Sequence, residues 1–132
     1  MTHNHAIVWM DSKEARIFRF NAANVESDHV RAHNPFRQVH HKAGVIGAGR
    51  AAMDTSFFDH ILDALRGTTE WLLVGPAGAK QELLHHIDRH MPWLRKSLMG
   101  VEPMDHPTDG ELLDHARRAF KAIDRMLPNT PA

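Results

Sequence analysis

The run Trp71-Leu-Leu-Val-Gly-Pro-Ala-Gly-Ala-Lys-Gln-Glu-Leu-Leu84 decides the fold. Its first four residues form a short apolar stretch that breaks at Gly75-Pro76, as a buried strand would. Beyond the break, Leu83, Leu84 and Ile87 recur at helical spacing. A strand turning sharply into a helix is the building unit of an α/β sheet.

Working outward, Ala6 to Met10 is a second compact apolar run. The polar turn Asp11-Ser12-Lys13 follows, and the chain returns through Ala15 to Phe20, so a β-hairpin is expected. Val30 and Ala32 alternate with His29, Arg31 and His33, which suits a half-exposed third strand ended by Asn34-Pro35. Residues 38–53 show neither period and carry glycines at 44, 47 and 49, which predicts a mobile loop. Phe57, Phe58, Ile61, Leu62 and Leu65 then mark a helix, with Asp54, Thr55 or Ser56 to cap it and Gly67 to stop it. A helix over about 79–90 ends before Pro92, and a short strand is expected near Leu98 to Val101.

The last element carries its own start signal. Thr108 and Glu111 have capping-box spacing, and Leu112, Leu113, Ala116, Phe120, Ile123 and Leu127 form one apolar stripe. Pro128 ends it, leaving 128–132 as a loose tail. The order is three strands, then helix, strand, helix, strand, helix. It predicts one α/β domain with a mixed sheet covered by helices.

With 132 residues, the chain has room for one domain with a real core but not two. Sixteen basic and sixteen acidic side chains balance, so the whole molecule is not a polyanion binder by net charge. Twelve histidines mean that mild acidification would make it strongly cationic. The absence of cysteine excludes disulfides, thiolate metal sites and cysteine nucleophiles. No stretch approaches the ~20 apolar residues of a membrane helix, and the first residues do not read as a secretory signal. A cytoplasmic protein without membrane contact is expected.

Charge is balanced globally but not locally. From His29 to Met53 there is no acidic residue, while Arg31, Arg37, Lys42, Arg50 and histidines 29, 33, 40 and 41 fall in this stretch. Phosphate favours such a place, because cations and free glycine amides approach it without competing carboxylates. The plainer alternative is a solvated loop balanced by carboxylates from elsewhere. His86 and His90 stand four apart on a helix, a spacing that can join a metal, yet no third ligand follows by spacing. An exposed histidine-rich face is the simpler reading. Gly75 to Gly78 matches neither a P-loop nor a dinucleotide fingerprint, so a structural turn is expected. Asp59 and Asp63 suit a water-facing helix surface, and Asp11 suits a turn former. None of serines 12, 27, 56 and 97 lies in a nucleophile elbow. Trp9, Trp71 and Trp93 adjoin apolar residues and read as core rather than stacking platforms, with an exposed position the alternative for Trp93 beside Pro92.

Three segments together resemble the middle domain of the archaeal and eukaryotic class-1 peptide release factors and of Pelota. They look more closely like the small bacterial relatives of that domain, often labelled translational machinery proteins. The segments are Ala6-Ile-Val-Trp-Met-Asp-Ser12 with its return at 15–20, the loop from His41-Lys-Ala-Gly44 to Arg50, and Leu72 to Leu83. The resemblance spans about His5 to Ile123. It implies a ribonuclease-H-like fold: a five-stranded mixed sheet with helices packed on its faces. In release factors the loop before the long helix carries a Gly-Gly-Gln motif that promotes peptidyl-tRNA hydrolysis. Here that loop reads Gly47-Ala48-Gly49-Arg50, without the glutamine.

The resemblance therefore implies a non-catalytic RNA- or ribosome-associated module, related to termination and rescue factors, with no cofactor. Its partner would be the ribosome, tRNA or rRNA, reached through loop 37–50. Arg37, His40, His41, Lys42 and Arg50 would supply charge, and Gly47 and Gly49 close backbone approach. One alternative is a hydrolase of peptidyl-tRNA or a related ester using a histidine of the 40–41 pair as base. Another is a metal-binding or pH-responsive protein centred on His86 and His90. The acidic cluster of a ribonuclease H is not evident around Asp11.

Overall fold

Strand β1 (His5–Met10) is apolar from Ala6 onward because it lies in the middle of a sheet covered on both sides. Strands buried on two faces lose the polar alternation of a half-exposed sheet. A computed structural model of the chain describes residues 5–32, 55–76 and 78–126. The predicted mobile segment 38–53 and tail 128–132 lie outside the described residues.

Strand β2 (Glu14–Phe20) returns antiparallel to β1, opposing Ala15 to Met10 and Phe20 to His5. Asp11 makes the turn between them, as its sequence position suggests. Its Oδ1 accepts backbone N–H bonds from Lys13 at 2.8 Å and Glu14 at 2.9 Å. Asn21 repeats the device, accepting from Ala23 and Asn24, and launches β3 (Val25–Arg31). This strand begins four residues before the alternation that announced it. Val25 to Ser27 form an exposed edge paired to β2, held by ladder hydrogen bonds with no apolar face to write into the sequence.

The chain continues through α1 (Thr55–Ala64), β4 (Glu70–Val74), α2 (Ala79–His90), α3 (Trp93–Lys96), β5 (Leu98–Glu102) and α4 (Asp109–Met126). Strand β4 runs parallel to β1, and β5 parallel to β4, giving the order β3-β2-β1-β4-β5. This is the mixed five-stranded arrangement expected of a ribonuclease-H-like domain.

The period-2 geometry of β1 sorts its residues onto two cores. Ala6, Val8 and Met10 join Ile17, Trp71 and Leu73 beneath α1 and α2, where Phe57, Ile61, Leu65, Leu83 and Ile87 are buried. Ile7 and Trp9 join Phe18, Phe20, Leu72 and Val74 against α4, through Leu112, Ala116 and Phe120. Each large aliphatic side chain so buried contributes roughly 1.5–3 kcal/mol. Trp9 and Trp71 are core residues, and their indole N–H groups donate to Asp105 O at 2.7 Å and Leu94 O at 2.9 Å.

Helix boundaries follow local chemistry. Thr108 Oγ1 accepts from Glu111 N at 3.1 Å while Glu111 Oε1 accepts from Thr108 N at 2.8 Å, completing the expected capping box of α4. Gly67, with φ 83°, closes the turn after α1. Between β4 and α2, Gly75 has φ 144°, and a Cβ there would lie 2.0 Å from Met10 O. Glycine is what allows β4 to leave the sheet hard against the end of β1.

Candidate functional site

Strand direction decides where the chemistry gathers. β1, β3, β4 and β5 all run the same way, so their C-terminal ends share one edge of the sheet. The Asp11–Lys13 turn, the end of β3, the Gly75 turn and the segment after Glu102 all lie there. In open α/β sheets this edge, beside the central strand pair, is the usual ligand side. The chain leaves β3 at this edge; Ala32 N bonds Lys13 O at 2.9 Å. It re-enters at the start of α1, whose far end passes through a short turn into the beginning of β4. Ala32 and Thr55, the described residues that flank 33–54, are thus both at this edge.

The predicted site residues Arg37, His40, His41, Lys42, Gly47, Gly49 and Arg50 all lie outside the described residues. The start of the acid-free run is described. His29 Nε2 lies 2.6 Å from Glu14 Oε1 on the neighbouring strand, so a carboxylate from elsewhere balances that end of the run. Arg31 stands across from Glu14 in the β2–β3 register and is exposed. A cavity of about 620 Å³ between β3 and α1 is lined by Arg19, Arg31, His29 and His60, with Asp28 and Asp63. Arg19 is tied to Asp28 at 2.8 Å and Glu26 at 3.4 Å, so the hollow is mixed in charge rather than cationic.

At the end of β1, Asp11 Oδ2 lies 3.6 Å from His106 Nε2, and His106 Nδ1 lies 3.4 Å from Asp105. Because Oδ1 of Asp11 is committed to the turn, this carboxylate stands with a histidine and not in a cluster of acids. The Gly75–Gly78 turn is structural, as its spacing suggests. Gly75 N bonds Glu102 O at 3.2 Å, and Met104 N bonds Gly75 O at 3.2 Å. Lys80, only 7% exposed, donates from Nζ to Gly75 O at 2.6 Å and Pro76 O at 3.1 Å. Sequence reading passed over this lysine. Its signal was the spacing, since Lys80 precedes Leu83, Leu84 and Ile87 by three, four and seven positions on the buried stripe.

The described histidines do not gather at one centre. His5 pairs with Glu70, His29 with Glu14, His86 with Asp59 and His115 with Glu102, each at a different place on the surface. His86 corrects the picture of an exposed histidine face. It is 8% exposed, packs on Phe58, and donates from Nε2 to Asp59 Oδ1 at 2.8 Å. His90 is exposed, and its ring lies tilted against that of His86 with centroids 4.3 Å apart. Through Asp59 and Phe58, His86 therefore fastens α2 to α1. Among the described residues, no three His, Asp or Glu side chains converge as metal ligands. Trp93 takes the exposed alternative that Pro92 leaves open: it is not core but 61% exposed. It opens α3, a four-residue helix that the sequence pattern did not reveal and that buries only Leu94.

No helix among the described residues is long and apolar enough to cross a membrane. No family model matches the chain, and no curated protein matches it in sequence. Solved structures do match. Archaeoglobus fulgidus Pelota superposes with a TM-score of 0.61 and 13% identity, over 96% of this chain and 38% of that one. Thermoplasma acidophilum Pelota gives 0.54 and 19% identity, over 94% and 39%. The archaeal translation termination factor aRF1 gives 0.56 and 17% identity, over 92% and 39%. The chain therefore spans less than two-fifths of these proteins while nearly all of it is covered. Its fold is one that Pelota and an archaeal termination factor also contain.

Proposed function

We propose that the chain is a non-catalytic, cytoplasmic module that associates with the ribosome or with tRNA, in the manner of translation termination and rescue factors. The single observation behind this reading is the match of nearly the whole chain to Pelota and aRF1, the latter a translation termination factor by name. The acid-free loop, rooted at the ligand edge of the sheet, supplies the chemistry. Lys42 and Arg50 contact phosphate, Gly47 and Gly49 let the backbone approach closely, and Arg37, His40 and His41 add charge. Gly47-Ala48-Gly49-Arg50 stands without a glutamine, so the module binds and does not hydrolyse.

The test is co-sedimentation with ribosomal subunits at low and high salt. With a couple of phosphates engaged, affinity falls about ten-fold for a three- to four-fold rise in salt. Lys42→Ala with Arg50→Ala removes most of that dependence. Association indifferent both to salt and to this double substitution refutes the loop's role. Release of the acyl group from a model peptidyl-tRNA, lost in His41→Ala, would replace the proposal with a hydrolase.

A further inference from the structure

Helix α3 lies just before β5, at the edge of the sheet where β4 and β5 begin. Trp93 is the most exposed large apolar side chain described, while Trp9 and Trp71 are fully buried. Its backbone is nevertheless firmly held. Met91 N bonds Ile87 O at 2.8 Å, Leu94 N bonds Met91 O at 2.8 Å, and Arg95 N bonds Pro92 O at 3.0 Å. Leu94 is buried beside it and accepts the indole N–H of Trp71. The indole of Trp93 is thus a flat surface presented to solvent from a fixed support.

Beside it lies a cleft of about 300 Å³, walled by Leu65, Arg66, Thr68, Met91, Trp93 and Ser97. That is the low end of the range for ligand pockets, suited to one planar ring rather than an extended apolar segment. Arg66 is the charged residue of the cleft wall, and the chain around Trp93 is basic in sequence. From Arg89 to Val101 the chain has no acidic residue, and Arg89, Arg95 and Lys96 are all exposed. Arg95 reaches Asp88 only at 3.5 Å, and Arg66 meets Asp63 at 3.2 Å at the surface. Such exposed pairs are weak and exchange readily for another anion.

An exposed indole, a ring-sized cleft walled in part by Arg66 and exposed basic residues close by in the chain make a stacking platform with backbone-binding charge. We infer that Trp93 and its cleft bind an unpaired base of single-stranded nucleic acid, with Arg66, Arg89, Arg95 and Lys96 meeting the flanking phosphates. A protein partner chosen for this surface would need acidic residues around an aromatic side chain; a nucleic-acid strand supplies anion and ring in every nucleotide.

The two buried tryptophans leave Trp93 as the indole accessible to a ligand, so intrinsic fluorescence reads this site. A single-stranded oligoadenylate of about ten nucleotides quenches it saturably, and the affinity falls with salt. By anisotropy of a labelled strand, Trp93→Ala weakens binding about ten-fold or more, the loss expected for one stacked base. Trp93→Phe keeps most of the affinity, and Arg89→Ala with Lys96→Ala flattens the salt dependence. Unchanged circular dichroism of Trp93→Ala shows that the fold stands. Equal affinity for a duplex, or unchanged affinity in Trp93→Ala, overturns the inference. So does Trp93-dependent ribosome association that survives ribonuclease treatment, which would assign the platform to a protein. The combined Lys42→Ala and Arg50→Ala variant keeps the quenching, so failure of the loop reading and failure of this one are told apart.

Discussion

Adding one methyl group at each of three glycines separates the two ways in which glycine is used in this fold. At Gly75 alanine meets both obstacles. The backbone has φ 144°, and the new Cβ would lie 2.0 Å from Met10 O and 3.1 Å from Met10 C. The strained conformation costs about 1–3 kcal/mol. The contact cannot be relieved by a rotamer, because the opposing atoms are backbone of the central strand, so β1 or β4 must shift. Overpacking of this kind costs another ~1–3 kcal/mol. The total, about 2–6 kcal/mol, is a large share of the ~5–15 kcal/mol that holds a domain folded. At Gly78 only the first obstacle remains: φ is 36° and nothing lies within 4 Å of a Cβ, so Gly78→Ala costs about 1–2 kcal/mol. Gly110, in the first turn of α4, has neither obstacle. There alanine is neutral or stabilises by up to ~1 kcal/mol through helix propensity. Urea unfolding followed by far-ultraviolet circular dichroism gives all three values. Gly75→Ala within about 1 kcal/mol of the parent, or a different rank order of the three, refutes the reasoning.

Thr108→Ala removes one half of the capping box and is expected to cost about 1 kcal/mol, with Glu111→Ala costing less; urea midpoints decide it. Lys80→Met keeps the buried stem but leaves the Gly75 and Pro76 carbonyls without their donor, so a loss of roughly 1–3 kcal/mol is expected in the same assay. For the His86–Asp59 pair the two sides are unequal. His86→Ala removes a buried ring packed on Phe58 and costs roughly 1–3 kcal/mol, whereas Asp59→Ala, on the exposed side, costs under ~1 kcal/mol; equal losses would contradict this packing.

The architecture was largely legible because its strongest signals are local. The apolar runs at 6–10 and 71–74, the Asp11 turn and the Thr108–Glu111 box each depend on residues a few positions apart, and each is where the pattern placed it. Less was legible where tertiary context decides. Val25 to Asp28 carry no apolar alternation, yet pairing with β2 makes them a strand. His86 looked solvent-facing by residue type, but its position three after Leu83 brings it under Phe58. Trp93 suits core by its apolar neighbours and an exposed turn by Pro92, and α3, too short to bury more than Leu94, decides for exposure. Residue identity misleads for His86, where helix phase corrects it, and leaves Trp93 to helix length. The candidate loop was marked by an absence of acids, which constrains charge but not position. Its roots could be located only once strand directions were known.

The sheet's two sides are closed by segments from very different points along the chain. One is roofed by helices between Thr55 and His90, but the side bearing Ile7, Trp9, Phe18, Phe20, Leu72 and Val74 is closed by the helix that begins at Asp109. During synthesis from the N-terminus, that oily wall exists well before Phe120 does. Newly made chains therefore pass through an interval when a wide sticky surface lacks the helix that later covers it, the condition under which proteins clump or call on chaperones.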